Sequence, residues 1–384
     1  MKIPAGAGSL RFTGTPRTFK RLADFDRLLQ AAVAGGKVDA FWRKVVAIGQ
    51  MPLLFGDNTA VFLYRGPANK VVARGDFRAP YVRQGETDLW MLVREFEPDA
   101  RVEYEIVLNS RKCILDPLNP LTETGGVGTH SVVRMPQYVA PAHAHRREGV
   151  AHGKFGENIT VSSSCLGYDV NIRVYTPAGY RRLRKLPVIY VADGQDYTNP
   201  GMGEMVNALD NLIAARRIRP VMAVFVDPRD PVSGENRREH EFLHDCLAEC
   251  PLCDFIATEL VPMVDAKYRS DPSPDARVML GFSYGGMFTS HMGLAYPDVF
   301  HGVAIQSPYI TRKWILDMYR REERLPLKVF LSHGTYDPGA SSRRLRDILR
   351  LKKYPLRYVE RHEGHSFGLV RGVLEDLLIY FFAL

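Results

Sequence analysis

A serine flanked by glycines follows the apolar run at residues 277–281. The segment GFSYG at 281–285 has the spacing G-x-S-x-G and precedes a helix-like pattern. In such a segment the serine lies on a strained turn between a strand and a helix, where side chains at the glycine positions would collide with the backbone. The helix N-terminus favours negative charge beside the hydroxyl. The segment indicates that Ser283 is a nucleophile, although a plain tight turn has the same spacing, so partner residues must be found.

A histidine near the end of the sequence is the predicted base. A serine hydroxyl is a weak nucleophile at neutral pH and needs a base to take its proton. The segment GHSF at 364–367 follows a strand-like run and precedes an apolar, helix-like run, which favours His365. The alternative is His362, which falls at the edge of the predicted strand, where a surface histidine is the expected identity.

An acidic residue between the serine and the histidine is predicted to orient the imidazole. Asp337 is favoured because it comes three residues after the predicted buried strand 327–334. The alternatives are Asp347, in a predicted helix, and Glu363, close to the base in sequence. His333 is expected to be a buried histidine beside the site.

Two backbone amides are needed to bind the negative charge that develops during attack on a carbonyl group. One is predicted to be the amide of Tyr284, directly after the serine. The other is expected from the loop 194–196, which follows the predicted strand 187–192. Gln195 is the residue selected from that loop.

A charged loop at 227–242 follows another buried strand. Ligands bind beyond the carboxyl ends of parallel strands, so Arg237 and Arg238 are predicted to contact substrate, together with Asp196 and Tyr284. For the two arginines, ion pairs with neighbouring side chains are an equally weighted alternative.

Two kinds of strand pattern divide the sequence. After two amphipathic, helix-like stretches, four candidate strands alternate apolar and polar residues between turn residues, which predicts a small β-sandwich. These strands lie at 60–66, 70–77, 89–96 and 102–108. Residues 141–155 lack apolar periodicity and are the predicted linker. The predicted domains are 1–145, a helical lead-in plus the sandwich, and 146–384.

The second domain has near-continuous apolar strands that alternate with helix-length segments. Strands of this kind are buried between crossover helices and predict an α/β fold with a mainly parallel sheet. They lie at 187–192, 221–226, 277–281, 302–306 and 327–334. Two further segments, around 158–167 and 168–180, predict an antiparallel pair that opens this sheet.

Composition and charge narrow the classes of partner. The 384 residues are 46% hydrophobic and carry a formal net charge of +8, with arginines scattered along the sequence. Scattered charge favours a basic solvated surface over nucleic-acid binding. We see no secretory signal and no segment of membrane-spanning length, which predicts a cytoplasmic protein without a membrane partner.

Five cysteines are expected to be reduced thiols, since their number is odd and the chain is long. The spacing Cys246-x3-Cys250-x2-Cys253 is found in iron-sulfur proteins, but here it follows a charged loop and precedes a helix. Free thiols are therefore the preferred interpretation, and neither a metal nor a cofactor is predicted.

The sequence resembles the enterochelin esterases and the related esterase D-like α/β-hydrolases, which have an N-terminal immunoglobulin-like, early-set domain. The ordered motifs that carry the resemblance are VYTPAGY, VIYVADGQDY, AVFVDPRDPVSGENRREHEF, FIATELVPMVDAKYR, GFSYGGM and GHSF. Weaker N-terminal support comes from FWRKV, DLWMLV and DPLNP.

The resemblance implies an α/β-hydrolase in which Ser283, Asp337 and His365 form the triad of a serine carboxylesterase. It also implies, as substrates, the ferric trilactones of catecholate siderophores. The alternative is an esterase on acylated carbohydrate or other small carboxylic esters, with the sandwich as a glycan-binding module. A solvent-facing aromatic residue on the sandwich, such as Trp90 or Tyr104, would favour that alternative.

Overall fold

The computed structural model describes residues 21–384, which divide into two compact units. Of these residues, the first unit holds 21–123 and 128–139, and the second holds 124–127 and 140–384. Within residues 21–384, none of the helices combines the length and the apolar composition that crossing a membrane requires.

The first unit begins with two amphipathic helices, α1 (Leu22–Ala34) and α2 (Val38–Val46). In α1 the buried side chains are Phe25, Leu29 and Ala32, whose spacing puts them on one helix face. These side chains belong to an apolar cluster that also contains residues of the following strands. The two helix-like stretches of the sequence are thus confirmed as helices.

The strands that follow form two sheets, in the orders β1-β2-β6-β5 and β4-β3-β7-β10-β9, with β8 paired to β7. They are β1 (Leu53–Phe55), β2 (Thr59–Arg65), β3 (Val71–Gly75), β4 (Arg78–Pro80), β5 (Val82–Arg83), β6 (Leu89–Glu95), β7 (Arg101–Leu108), β8 (Lys112–Ile114), β9 (Thr122–Gly125) and β10 (Gly128–Arg134). The four predicted strands agree with β2, β3, β6 and β7 to within two residues at each end.

Aromatic side chains from both sheets meet in the core of the first unit. The ring of Phe62 on β2 lies edge-on to the ring of Tyr104 on β7, with 5.0 Å between their centroids. Phe62 also contacts Phe77, at 5.7 Å. Because β2 and β7 belong to different sheets, these contacts close a β-sandwich, as the sequence predicts.

The second unit is built on a nine-stranded sheet in the order β11-β13-β15-β14-β16-β17-β18-β19, with β12 paired to β13. The strands are β11 (Lys154–Phe155), β12 (Ile159–Ser162), β13 (Asp169–Thr176), β14 (Val188–Val191), β15 (Met222–Asp227), β16 (Arg277–Phe282), β17 (Gly302–Gln306), β18 (Lys328–Gly334) and β19 (Leu356–Arg361). From β15 to β19 the neighbours pair in parallel, whereas β12 and β13 are antiparallel. The predicted α/β fold, with its antiparallel opening pair, is confirmed.

Helices cover both faces of this sheet. They are α3 (Gly194–Thr198), α4 (Met205–Ala214), α5 (Arg238–Phe242), α6 (Pro251–Asp254), α7 (Val261–Lys267), α8 (Tyr284–Ala295), α9 (Lys313–Arg321), α10 (Ser341–Leu351) and α11 (Phe367–Phe382); a π-helical turn, Phe255–Leu260, joins α6 to α7. On β14, Ile189 and Val191 pack in one apolar cluster while Val188 and Tyr190 pack in another. Successive side chains of a strand point to opposite faces, so both faces are buried.

The parallel arrangement brings the ends of several strands together. β14, β15, β16, β18 and β19 run in the same direction, so the loops after them leave the sheet at one edge. The predicted site residues lie at that edge, because each of them follows one of these strands.

The stretch 141–155, predicted as a linker, lies within the second unit. The amide of Asn211 donates to the carbonyl of His143 at 2.8 Å, and the His143 ring is 2.9 Å from the carbonyl oxygen of Arg371. The domain boundary after residue 145 stays a prediction.

The prediction of five reduced cysteines is wrong for two of them. Cys250 and Cys253 form a disulfide at the start of α6, and both are buried among apolar side chains. A ring nitrogen of His291 and the two sulfurs lie within 4.8 Å of one another. The sulfurs are bonded to each other, so they are not the thiolate ligands that a zinc site would need.

We expect Phe62→Ala to lower the free energy of unfolding by about 3–5 kcal/mol, because it removes a fully buried ring from the sandwich core. The matched control is Val93→Ala on β6, whose side chain is 42% exposed and whose loss should cost within about 0.5 kcal/mol. Urea titration followed by tryptophan fluorescence measures both. Equal shifts for the two variants would contradict the packing described for Phe62.

Candidate active site

Ser283 occupies the turn between β16 and α8. Its backbone angles, φ 61° and ψ −118°, are strained for a residue other than glycine and cost about 1–3 kcal/mol. The turn is held by hydrogen bonds from the Ser283 amide to the carbonyl of Gln306 and from the Tyr309 amide to the carbonyl of Ser283, both 3.1 Å. A Cβ at Gly281 would lie 2.2 Å from the carbonyl oxygen of Gly285, so the turn closes only with glycine at 281.

His365 and Asp337 are brought together at the same sheet edge. Nδ1 of His365, after β19, is 2.8 Å from Oδ2 of Asp337, after β18. The Asp337 side chain is 6% exposed and the His365 side chain 28% exposed. The imidazole also stacks on the ring of Phe282, with 4.6 Å between centroids and an interplanar angle of 28°. Because Phe282 directly precedes Ser283, this contact joins the histidine to the serine turn.

The alternative residues have other surroundings. Asp347 lies on α10 with an exposed side chain, and it pairs with Arg346. Glu363 is buried, and its carbonyl accepts a hydrogen bond from the amide of Tyr336. His333 is buried with Nδ1 3.9 Å from Asp337 Oδ2, and burial lowers its pKa. His362 directly follows β19 and is half-buried.

The loop after β14 reverses sharply and starts α3. Asp193 has the left-handed angles φ 55° and ψ 41°, and its carbonyl accepts hydrogen bonds from the amides of Asp196 and Tyr197. A Cβ at Gly194 would lie 2.6 Å from the backbone of Phe225, so this loop packs closely on β15.

Two backbone amides at this edge are available to a ligand. Within residues 21–384, the amides of Gln195 and Tyr284 donate to no other protein group. Both lie in the first turn of a helix, where amides have no partner inside the helix. Such amides suit a developing negative charge, since they also lie at the positive end of the helix dipole.

The two arginines predicted to contact substrate have partners within the protein. Arg237 pairs with Asp230, and its guanidinium lies 4.0 Å from the ring centroid of Tyr168. Arg238 binds both carboxylate oxygens of Asp193, at 2.7 and 2.9 Å. These contacts match the ion-pair alternative, and substrate contact by either arginine stays a prediction.

A tyrosine that the sequence analysis missed lies beside the serine turn. Tyr309 is 47% exposed, and its ring centroid is 5.8 Å from that of Tyr284. The guanidinium of Arg238 lies 5.3 Å from the ring centroid of Tyr284, which is the first residue of α8. The only sequence signal for Tyr309 is its position three residues after β17, which is shared by loop residues without a role.

Two acidic side chains near this edge have raised pKa values. Burial, together with the charge of Asp193, raises the pKa of Asp196 to about 6. Burial raises the pKa of Glu241 to about 7, although the Tyr168 hydroxyl donates to its Oε1 at 3.0 Å. Negative charge is therefore costly at Glu241.

We expect Glu241→Gln to stabilise the protein at pH 8.5 by about 1–3 kcal/mol and to have little effect at pH 4.5. The folded protein holds the Glu241 proton more tightly than the unfolded chain does. Stability is therefore lost as pH rises from the unfolded pKa, near 4.3, through the folded value of about 7.

Urea unfolding at the two pH values tests this, with the exposed Glu235→Gln on the same loop as control. A stability gain for Glu241→Gln that is the same at both pH values would contradict the account.

Comparison with known proteins shows that part of the second unit is similar to a family of esterases. Residues 163–339 match the model of the family described as "Putative esterase". The iron(III) enterobactin esterase of Escherichia coli O6:H1 is 28% identical over 197 residues, which are 51% of this chain and 46% of that protein. The endo-1,4-beta-xylanase/feruloyl esterase of Xylanibacter ruminicola is 26% identical over 204 residues, 47% of this chain and 27% of that protein. The chain thus spans less than half the length of these two relatives.

The fold agrees with that of a solved esterase. The crystal structure of ferric enterobactin esterase from Salmonella typhimurium superposes with a TM-score of 0.69 at 19% identity, covering 85% of this chain and 94% of that one. The second unit therefore has the α/β-hydrolase fold, and its residues 163–339 carry the similarity to the family described as "Putative esterase".

Proposed function

We propose that the protein is a serine carboxylic ester hydrolase in which Ser283 is the nucleophile, His365 the base and Asp337 the acid that orients it. The 2.8 Å contact between His365 Nδ1 and Asp337 Oδ2 carries the proposal, because it leaves Nε2 of the imidazole to act on a hydroxyl. The strained turn at Ser283 and the stacking of His365 on Phe282 support it.

The reaction passes through an acyl-enzyme. With Nδ1–H donating to Asp337, Nε2 of His365 takes the proton of Ser283 as Oγ attacks the ester carbonyl carbon. The amides of Tyr284 and Gln195 bind the resulting oxyanion. When the tetrahedral intermediate collapses, the C–O bond to the alcohol breaks and the alcohol takes the proton from His365. Water, deprotonated by the same imidazole, then releases the acid and restores Ser283.

Ser283→Ala should lower kcat for p-nitrophenyl butyrate by about 10⁴-fold or more, because the attacking oxygen is removed. A fluorophosphonate should label the wild-type protein on Ser283, which peptide mass spectrometry detects, and should not label the variant. Ser164→Ala, an exposed serine, is the control and should keep full activity. Turnover by Ser283→Ala at the wild-type rate would exclude the mechanism.

For the substrate we propose the ferric trilactone of a catecholate siderophore. Support comes from the similarity to proteins named as iron(III) and ferric enterobactin esterases. The rings of Tyr284 and Tyr309 beside the nucleophile suit the aromatic groups of such a substrate. The formal net charge of +8 suits an anionic ligand.

An esterase on acylated carbohydrate is the second candidate, because the chain is also similar to a protein named endo-1,4-beta-xylanase/feruloyl esterase. Trp90 and Tyr104 are only 6% and 0% exposed, which argues against the idea that the sandwich binds glycans through them. Neither ring can serve as a solvent-facing platform for a sugar.

A substrate panel separates the two candidates. We expect kcat/KM to be highest for the ferric catecholate trilactone, compared with the iron-free trilactone, a feruloyl sugar and acetyl or butyryl esters. Tyr309→Ala should lower kcat/KM for the trilactone about 3–10-fold through loss of aromatic contact, and leave the acetyl ester unchanged. Preference for a feruloyl or acetyl sugar would favour the second candidate.

A further inference from the structure

One side chain touches both halves of the candidate oxyanion site. Arg238, at the start of α5, binds the two carboxylate oxygens of Asp193 at 2.7 and 2.9 Å. Its Nη2 also donates to the carbonyl of Phe282 at 3.3 Å, and its guanidinium lies 5.3 Å from the ring centroid of Tyr284. Asp193 starts the loop that holds Gln195, and Phe282 and Tyr284 flank Ser283. Arg238 thus bridges the loop and the serine turn.

The carboxylate of Asp193 is packed against both segments as well. Its side chain is 3% exposed, and a Cβ at Gly285 would lie 3.1 Å from its Oδ2. The same residue takes the left-handed backbone angles that begin α3. Burial raises the pKa of Asp193, and the guanidinium of Arg238 opposes that effect. Without Arg238, a buried negative charge would remain next to the site where the oxyanion forms.

We propose that Arg238 is a positioning residue that fixes the amides of Gln195 and Tyr284 relative to each other and neutralises Asp193 beside them. The proposal rests on the esterase mechanism above. Donors act on a transition state only when they are held in place before the charge develops. An unpaired carboxylate at short range would oppose the same charge, since like charges repel strongly in a buried site.

The test is the kinetics of Arg238→Met with p-nitrophenyl butyrate. We expect kcat to fall about 10²-fold, as for loss of one oxyanion donor, with KM changed less than about 3-fold. The rate of fluorophosphonate labelling should fall in parallel, because phosphonylation develops charge on the same amides. Arg238→Lys should recover part of kcat, since it keeps the charge without the two-pronged geometry.

The double variant Asp193→Asn with Arg238→Met tests the charge separately. Removal of the buried carboxylate should raise kcat about 10-fold over Arg238→Met alone, a non-additive result. It also provides a measurement if Arg238→Met does not fold. The matched control is Arg277→Met. Arg277 is a buried arginine that pairs with Asp265, and it begins β16, at the opposite end of that strand from Ser283. This control should lose thermal stability and keep kcat.

The outcomes distinguish this inference from the mechanism itself. If Arg238→Met folds and keeps kcat within about 3-fold of wild type while Ser283→Ala is inactive, the inference is wrong and the mechanism stands. An equal loss of kcat in Arg277→Met would also overturn the inference, because it would trace the effect to general destabilisation. Activity in Ser283→Ala would instead remove the mechanism on which the inference rests.

Discussion

The backbone turn at Ser283 is the constraint on which the rest of the site depends. Its left-handed φ is unfavourable for serine, and it persists because β16, α8 and the loop after β17 hold both sides of the turn through hydrogen bonds. The close approach of Gly281 to the carbonyl of Gly285 leaves no room for a side chain. Strain of this kind needs a stiff surround, which the doubly covered parallel sheet provides.

Buried acidic side chains near that turn have an ion-pair or hydrogen-bond partner. Asp193 pairs with Arg238, and Glu241 accepts a hydrogen bond from the hydroxyl of Tyr168. Both acids are buried at this edge of the sheet, where a carboxylate without a partner is costly. The carboxylate of Asp337 lies within hydrogen-bond distance of the imidazole of His365. Arg238 therefore neutralises the carboxylate of Asp193, the residue that begins the loop holding Gln195.

Much of the fold could be predicted from sequence because its signals are local. Strands that are buried on both faces are continuous apolar runs, whereas the strands of a sandwich alternate apolar and polar residues. The predicted bounds of β14 to β18, and of β2, β3, β6 and β7, therefore agree with the structure to within two residues. The proximity of Asp337 and His365 follows from two parallel strands ending at one edge. Chain order and strand ends carry that information without knowledge of side-chain contacts.

Features that depend on long-range packing could not be predicted from the sequence. The disulfide between Cys250 and Cys253 and the partners of Arg238 depend on burial, which spacing alone does not reveal. The burial of Trp90 and Tyr104 depends on which strand face meets the second sheet of the sandwich.

The most direct test of the central claim is quenched-flow mass spectrometry of the protein mixed with an activated ester. The proposed mechanism predicts an acyl adduct on Ser283 that forms and decays at rates sufficient for turnover. Turnover with no adduct on Ser283, or with the adduct on another residue, would contradict it.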